Sequence, residues 1–135
     1  MCVIIHKPEK VTLNVDELRA AFDLNSHGAG YMWRQRGHAV HIRKGFMTCA
    51  ALEEDLKEQG FLKDGVLTDR AALGLHFRIA TSGGVCPERT HPFPISKSYR
   101  VQEQLIQQTQ AALMHNGVIS GMGGDDWREG LRSPR

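Results

Sequence analysis

The apolar residues of the chain recur with two different periods, and these periods predict where the helices and strands lie. A period of 3.6 residues predicts one helix from residue 15 to residue 22 or 23 and a second helix at about residues 49–59. Asn14 and Thr48 immediately precede the two helices and are suited to cap them, because their side-chain oxygens can accept hydrogen bonds from free backbone N–H groups. On the second helix, Asp55 lies among charged residues and is expected to face water.

Short apolar runs predict a set of strands around these helices. The β-branched run at residues 3–5 predicts a buried first strand. Residues 71–79 form a longer and almost continuously apolar run, which predicts a strand buried on both faces. Further strands are predicted at residues 31–34, 39–42 and 111–114.

The remaining segments have weaker patterns. Residues 81–98 contain three prolines and two adjacent glycines, which predicts a long irregular loop. Residues 102–110 have a composition that favours a helix, although only two of them are apolar. We expect residues 1–120 to form a single domain and residues 121–135, which are polar and glycine-rich, to form a poorly ordered tail.

Composition and charge limit the classes of partner. The chain has 135 residues, of which 41% are apolar and 24% charged, as in ordinary soluble domains. The net charge is +2 with Lys and Arg scattered, which argues against a nucleic-acid-binding surface. No apolar run approaches the roughly 20 residues of a membrane-spanning helix, and the N-terminal residues show no signal peptide. We therefore expect a cytoplasmic protein with no nucleic-acid or membrane partner.

Cysteine and histidine are plentiful enough to raise a metal site as an alternative. Cys2, Cys49 and Cys86 are widely spaced, and no Cys-x-x-Cys pair is present. The seven histidines include no His-Glu-x-x-His motif. We expect no metal and no other cofactor, and a histidine-rich metal-binding module is the least favoured hypothesis.

Cys2 is a candidate nucleophile because of its place in the chain. Aminopeptidases readily remove an initiator methionine that precedes a small residue. Without Met1, Cys2 would carry a thiol and a free α-amine, so a nucleophile and a general base would share one residue. The alternative is that Cys2 is a chance residue at the start of an ordinary strand.

Two further features could serve a reaction at Cys2. Arg78 lies where the long apolar run meets a glycine-rich loop, and its guanidinium suits a bidentate carboxylate; an internal ion pair is an equally good alternative. Asn116 and Gly117 follow the last predicted strand. A side-chain amide and a backbone N–H there could form an oxyanion hole, whereas the alternative is a common Asn-Gly turn.

Together and in this order, the motifs resemble the class II glutamine amidotransferases, which are N-terminal-nucleophile (Ntn) hydrolases. The motifs that carry the resemblance are Met1-Cys2-Val3-Ile4, residues 25–30, residues 76–83, His91-Pro92-Phe93 and His115-Asn116-Gly117. The chain is most similar to small stand-alone or phage-encoded members. The resemblance implies an α+β fold, an αββα sandwich of two mainly antiparallel sheets between helix layers, which we expect to be incomplete at the C-terminus.

The resemblance also implies roles for single residues. Cys2, freed of Met1, would attack the side-chain amide of glutamine with its own α-amine as base. Asn116 and Gly117 would hold the tetrahedral oxyanion. The residues implied to bind the substrate are Arg78, which would hold the α-carboxylate, together with Thr81, Ser82 and His91.

Two departures from the family pattern keep an alternative function open. Many members have histidine at the position of Ser82, and the aspartate that binds the substrate's α-amino group, usually within a Ser-Asp-Thr motif, has no counterpart in that motif here. The first hypothesis is a glutamine amide hydrolase that supplies ammonia to an acceptor or a partner protein. The alternative is a catalytically inactive or truncated Ntn-fold protein that binds a ligand or a partner.

Overall fold

The computed structural model of the chain describes residues 1–81 and 84–117, and an antiparallel sheet lies at its centre. The strands within these residues are β1 (Val3–Lys7), β2 (Leu13–Asn14), β3 (Ala29–Arg34), β4 (Val40–Phe46), β5 (Leu62–Lys63), β6 (Val66–Leu67), β7 (Leu73–Phe77), β8 (Phe93–Pro94), β9 (Ile106–Thr109) and β10 (Ala112–Leu113). The helices are α1 (Val15–Leu24), α2 (Cys49–Glu58) and the short α3 (Tyr99–Gln102), with a 3₁₀ turn at Pro87–Arg89.

Every strand pair in the described residues is antiparallel. The central sheet has the order β1-β7-β3-β4-β9, and two smaller sheets have the orders β2-β6-β5 and β10-β8. The α+β class implied by the family resemblance is therefore confirmed. β7 lies between β1 and β3, so its backbone is paired on both sides, and it is the strand that leads into the candidate site.

The two main helices begin where the sequence predicts. Asn14 caps α1 by accepting a hydrogen bond from the backbone N–H of Asp16 at 2.9 Å. Thr48 caps α2 by accepting a hydrogen bond from the N–H of Ala51 at 3.2 Å. Gly60 follows α2 with φ +78°, a left-handed conformation that glycine adopts without a steric penalty and that ends the helix.

The hydrophobic core lies between these two helices and one face of the central sheet. Alternate residues of β3 and β7, among them Tyr31, Leu75 and Phe77, point to that face and are fully buried. Leu18 of α1 and Leu56 of α2 meet them and are also fully buried. Burying a side chain of this size stabilises the fold by about 1.5–3 kcal/mol, so this layer fixes the position of the sheet.

Asp55 is buried at 8% exposure, so the prediction that it faces water is wrong. Its Oδ2 accepts hydrogen bonds from Tyr31 Oη at 2.6 Å and from Arg43 Nε at 2.7 Å, and its Oδ1 accepts one from Arg43 Nη2 at 2.5 Å. The charge is buried because both partners lie on the helix-facing side of the sheet directly below α2. Helical periodicity alone could not reveal partners on other elements.

Three strand predictions also need correction. β1 is an edge strand whose residues alternate in exposure, and Ile4 is 39% exposed, so the strand is not buried on both faces. Residues 102–110 are mainly extended rather than helical, because β9 pairs along the outer edge of β4. The last strand, β10, covers only two residues and is half-buried. Edge pairing of this kind depends on distant residues, which composition does not report.

The second face of the central sheet, turned away from α1 and α2, carries Gly30, Lys44 and His76 and packs against the chain around β8. No helix in the described part of the chain is long and apolar enough to cross a membrane. The predicted domain boundary at residue 120 and the tail at residues 121–135 lie outside the described residues.

Replacing Asp55 with alanine is expected to lower the free energy of unfolding by about 3 kcal/mol, because the buried Tyr31 and the part-buried Arg43 would both lose their carboxylate partner. The neighbouring exposed substitution Glu54→Ala is the matched control and should change stability by less than about 0.5 kcal/mol. Urea unfolding at neutral pH measures both values. Equal stabilities for the two variants would contradict the structural role of this ion pair.

Candidate functional site

Cys2 lies directly before β1, opposite the end of β7. The antiparallel register pairs Val3 with Phe77, which brings Cys2 alongside the residues that follow β7. The backbone N–H of Ile79 donates to Cys2 Sγ at 3.3 Å, and the thiol lies 3.5 Å from the carbonyl oxygen of Ile79. The pairing of β1 with β7 and the contacts with Ile79 therefore hold the sulfur in place.

Arg78 extends the pairing of β7 with β3 by one step and turns its side chain toward Cys2. Its N–H donates to the carbonyl of Gly28 at 2.8 Å, and its carbonyl accepts from the N–H of His27 at 2.9 Å. Its guanidinium Nη1 donates to the carbonyl of Gly84 at 2.8 Å. The residue is only 4% exposed. Burial lowers the pKa of the guanidinium, whereas the nearby Cys86 and Cys2 thiols raise it.

Two glycines permit this close packing: Gly28 in the loop before β3, and Gly30 within β3. A Cβ on Gly28, which has φ +112°, would lie 2.5 Å from Thr90 Cγ2. A Cβ on Gly30 would lie 2.1 Å from the carbonyl oxygen of His91. The loop that follows β7 can therefore approach the central sheet only because both positions lack a side chain.

Lys44 lies on β4, at the second face of the central sheet, and binds the segment that carries His91. It is 3% exposed, and its Nζ donates to the carbonyl oxygens of Gln102 at 2.7 Å and Glu88 at 3.1 Å. The same ammonium lies 4.0 Å from the ring centre of Phe93. Burial lowers the pKa of Lys44 to about 7 against the opposing effects of Glu103 and Glu88. Lys44 thus fixes the 84–103 segment to the sheet. The sequence predicts an irregular loop at residues 81–98, and within it the structure has a 3₁₀ turn at Pro87–Arg89 and strand β8.

These elements enclose a cavity of about 170 Å³. The residues that line it are Met1, Cys2, Arg78, Ile79, Thr81, His91, His115 and Gly117. A thiol, a guanidinium and the residue proposed as a backbone oxyanion donor therefore share one small volume, which is a suitable arrangement for acyl transfer.

Two of the lining residues, His91 and His115, form a cluster of aromatic rings with His76. His76 and His91 are stacked with ring centres 4.1 Å apart and an interplanar angle of 13°, and His91 meets the ring of His115 edge-on at 5.0 Å. Burial lowers the pKa of His76 to about 4 and that of His91 to about 2, and the neighbouring rings and cations add to the shift of His91. Both stacked rings are therefore neutral near neutral pH.

Seven residues were predicted for the site, and the structure brings five of them together at the cavity: Cys2, Arg78, Thr81, His91 and Gly117. Asn116 is exposed and is not among the described residues that line the cavity. Ser82 lies outside the described residues. Sequence reasoning missed the backbone of Ile79 and the ring of His115, although His115 belongs to a motif that it quoted.

A metal site receives no support from the described residues. Among residues 1–81 and 84–117, no group of three or more His, Cys, Asp or Glu side chains could hold a metal ion. His76 and His91 present ring faces to each other, so their nitrogen lone pairs do not converge on one point.

The stability of the fold is expected to fall as pH is lowered from about 7 to about 4. The pKa values of His76 and His91 in the folded state are about 4 and about 2, against an ordinary value of 6.5. Across this range the unfolded chain binds protons that the folded chain does not. Each histidine therefore contributes a slope of up to about 1.4 kcal/mol per pH unit.

Urea unfolding at several pH values measures this slope. The substitution His91→Phe, which keeps an aromatic ring in the stack, should reduce the slope. The substitution His38→Gln, at an exposed turn residue, should leave it unchanged. Equal slopes for the two variants would contradict the assignment of the acid sensitivity to the stacked rings.

Comparison with known proteins supplies no independent evidence on function: no protein-family model, no curated protein and no solved structure matches this chain.

Proposed function

We propose that this chain is a class II glutamine amidotransferase domain that hydrolyses the side-chain amide of glutamine with Cys2 as the nucleophile. The observation that carries the proposal is the shared cavity, in which Cys2, Arg78 and Gly117 come from three distant parts of the sequence. An N-terminal thiol, a carboxylate-binding cation and an oxyanion donor are the parts that this reaction needs.

The reaction begins with the removal of Met1. The structure contains Met1, so the nitrogen of Cys2 is part of a peptide bond, and Met1 itself lines the cavity. Removal of Met1 frees the α-amine as a base and enlarges the cavity. The amine takes the proton of the thiol, and Sγ attacks the amide carbon.

The tetrahedral intermediate then collapses to products. Its oxyanion accepts hydrogen bonds from the N–H of Gly117 and, once the side chain turns inward, from Asn116. The amine returns the proton to the departing nitrogen, ammonia leaves, and a γ-glutamyl thioester remains on Cys2. Water attacks the thioester and releases glutamate, which restores the thiol.

Arg78 and Thr81 orient the substrate. The guanidinium of Arg78 is nearly buried at the cavity wall, where a charge-assisted hydrogen bond to the α-carboxylate of glutamine is strongest. Thr81 lines the same wall and can donate its hydroxyl to the same carboxylate. His91 is neutral and closes the cavity from the side of the 84–103 segment.

The layered arrangement of the described residues is compatible with the αββα sandwich that the proposal includes. Helices α1 and α2 cover one face of the central sheet, and the β8–β10 ribbon belongs to the chain that packs on the second face. The proposal further includes a cytoplasmic location and an ammonia-accepting partner or reaction.

One observation favours a second candidate function. The exposure of Asn116 would leave the oxyanion hole with one donor in this state of the protein. A protein with the same cavity but without turnover would bind a small carboxylate-bearing ligand or a partner protein. Measurement of turnover separates the two functions.

The substitution Cys2→Ala is expected to abolish the release of glutamate from glutamine, because the nucleophile is lost. Cys49→Ala is the matched control and should retain wild-type turnover, since burial and Glu53 raise the pKa of the Cys49 thiol to about 11 and keep it unreactive. A coupled assay for glutamate measures both. Equal rates for wild type and Cys2→Ala would exclude the enzymatic proposal.

The substitution Arg78→Met is expected to raise KM for glutamine by about 10- to 100-fold, the loss that corresponds to one hydrogen bond between charged groups. Arg36→Met, at an exposed turn residue, serves as the control and should leave KM unchanged. Steady-state kinetics with glutamine and with a glutamine analogue that lacks the α-carboxylate measure the effect. An equal loss with both substrates would show that Arg78 does not bind this group.

A further inference from the structure

We propose that His76 is a positioning residue whose Nε2–H group holds the 115–117 turn against the central sheet and so keeps Gly117, the oxyanion donor that lines the cavity, in place. His76 lies on β7, at the second face of the sheet, and takes no part in the proposed reaction steps. The catalytic consequence rests on the proposed function, whereas the placement of the turn does not.

The hydrogen bond fixes the tautomer of His76. Its Nε2 lies 3.1 Å from the carbonyl oxygen of His115. A carbonyl oxygen can only accept a hydrogen bond, so Nε2 carries the proton and Nδ1 is bare. Among the described residues, Nδ1 has no hydrogen-bond partner, so the interaction with His115 is the one that selects this tautomer.

The surroundings keep the ring neutral and in place. His76 is fully buried and stacked on His91, and the positively charged groups near the two rings are Arg78 and Lys44. Protonation of either ring would add a further positive charge near Arg78 and Lys44, which would be unfavourable. The hydrogen bond to His115 therefore sets the tautomer of His76, and packing keeps the ring neutral and fixes its orientation.

This link joins an interior strand of the central sheet to a turn that extends beyond the sheets. β7 is paired on both sides, by β1 and β3. β10 ends at Leu113, so its ladder of hydrogen bonds stops before Asn116, which is exposed, and Gly117, which has φ +83°. The contact of His76 lies one residue before Asn116, where small rotations of the backbone would redirect both oxyanion donors.

Two variants distinguish the effect of losing the hydrogen bond from the effect of losing the volume of the ring. His76→Gln keeps an N–H donor at about the same reach, and His76→Leu removes the donor but remains apolar. We expect the NMR order parameter of the Gly117 backbone amide to fall from about 0.85 in the wild type to below about 0.6 in His76→Leu and to stay close to the wild-type value in His76→Gln. The same order parameters in wild type and both variants would overturn the proposal.

Kinetics supply a readout that general loosening of the fold would not give. His76→Leu should lower kcat for glutamine by about 10²-fold, the effect of losing one oxyanion donor, with KM changed less than about twofold. His76→Gln should recover most of kcat. Alkylation of Cys2 by iodoacetamide, which needs no oxyanion hole, should proceed at the wild-type rate in both variants; equal losses of alkylation and turnover would overturn the proposal.

A measurement on the wild-type protein guards against variants that fail to fold. Nitrogen NMR of the imidazole rings should show His76 as the neutral Nε2–H tautomer, and a Nδ1–H tautomer would overturn the proposal. If the wild type shows no glutamine turnover but the order parameter of Gly117 responds to His76→Leu, the positioning of the turn is supported and the proposed function fails.

Discussion

The antiparallel pairing of β1 with β7 is the interaction on which the candidate site depends. Its register places Cys2 beside the backbone of Ile79 and delivers Arg78 to the same side. A shift of one residue would turn every side chain of β1 to the opposite face, which would bury Ile4 in place of Val3 and Ile5. The hydrophobic core beneath the sheet therefore fixes the position of the nucleophile through the register of β1.

The two faces of the central sheet are held by different kinds of interaction. The helix-facing side is mainly apolar, apart from the ion pair between Arg43 and Asp55. The second face buries Ile42 and Phe93, but it buries polar groups as well: Lys44 binds backbone carbonyls, and His76 stacks on His91. Buried polar groups need partners with good geometry, so they specify the path of the surrounding loops more narrowly than apolar contacts do. A cavity for a polar substrate suits this second kind of packing.

The sequence was sufficient to predict the helices, because their caps and periodic apolar residues are local. It was also sufficient to select most of the residues that meet at the cavity, because the order of the motifs resembles a known family. It could not predict that Asp55 is buried, since its partners lie on β3 and β4. It also could not predict that residues 106–109 form a strand, because pairing with β4 overrides their helical composition. The histidine stack joins three separate motifs, so only the folded chain reveals it.

The central claim is that Cys2, with a free α-amine, is the nucleophile of this cavity. Intact mass spectrometry of the protein after treatment with an electrophilic ketone analogue of glutamine tests this claim most directly. The account predicts that Met1 is absent and that one adduct forms, on Cys2, with glutamine protecting against it. Retention of Met1, or adducts on Cys49 and Cys86 that glutamine does not prevent, would contradict it.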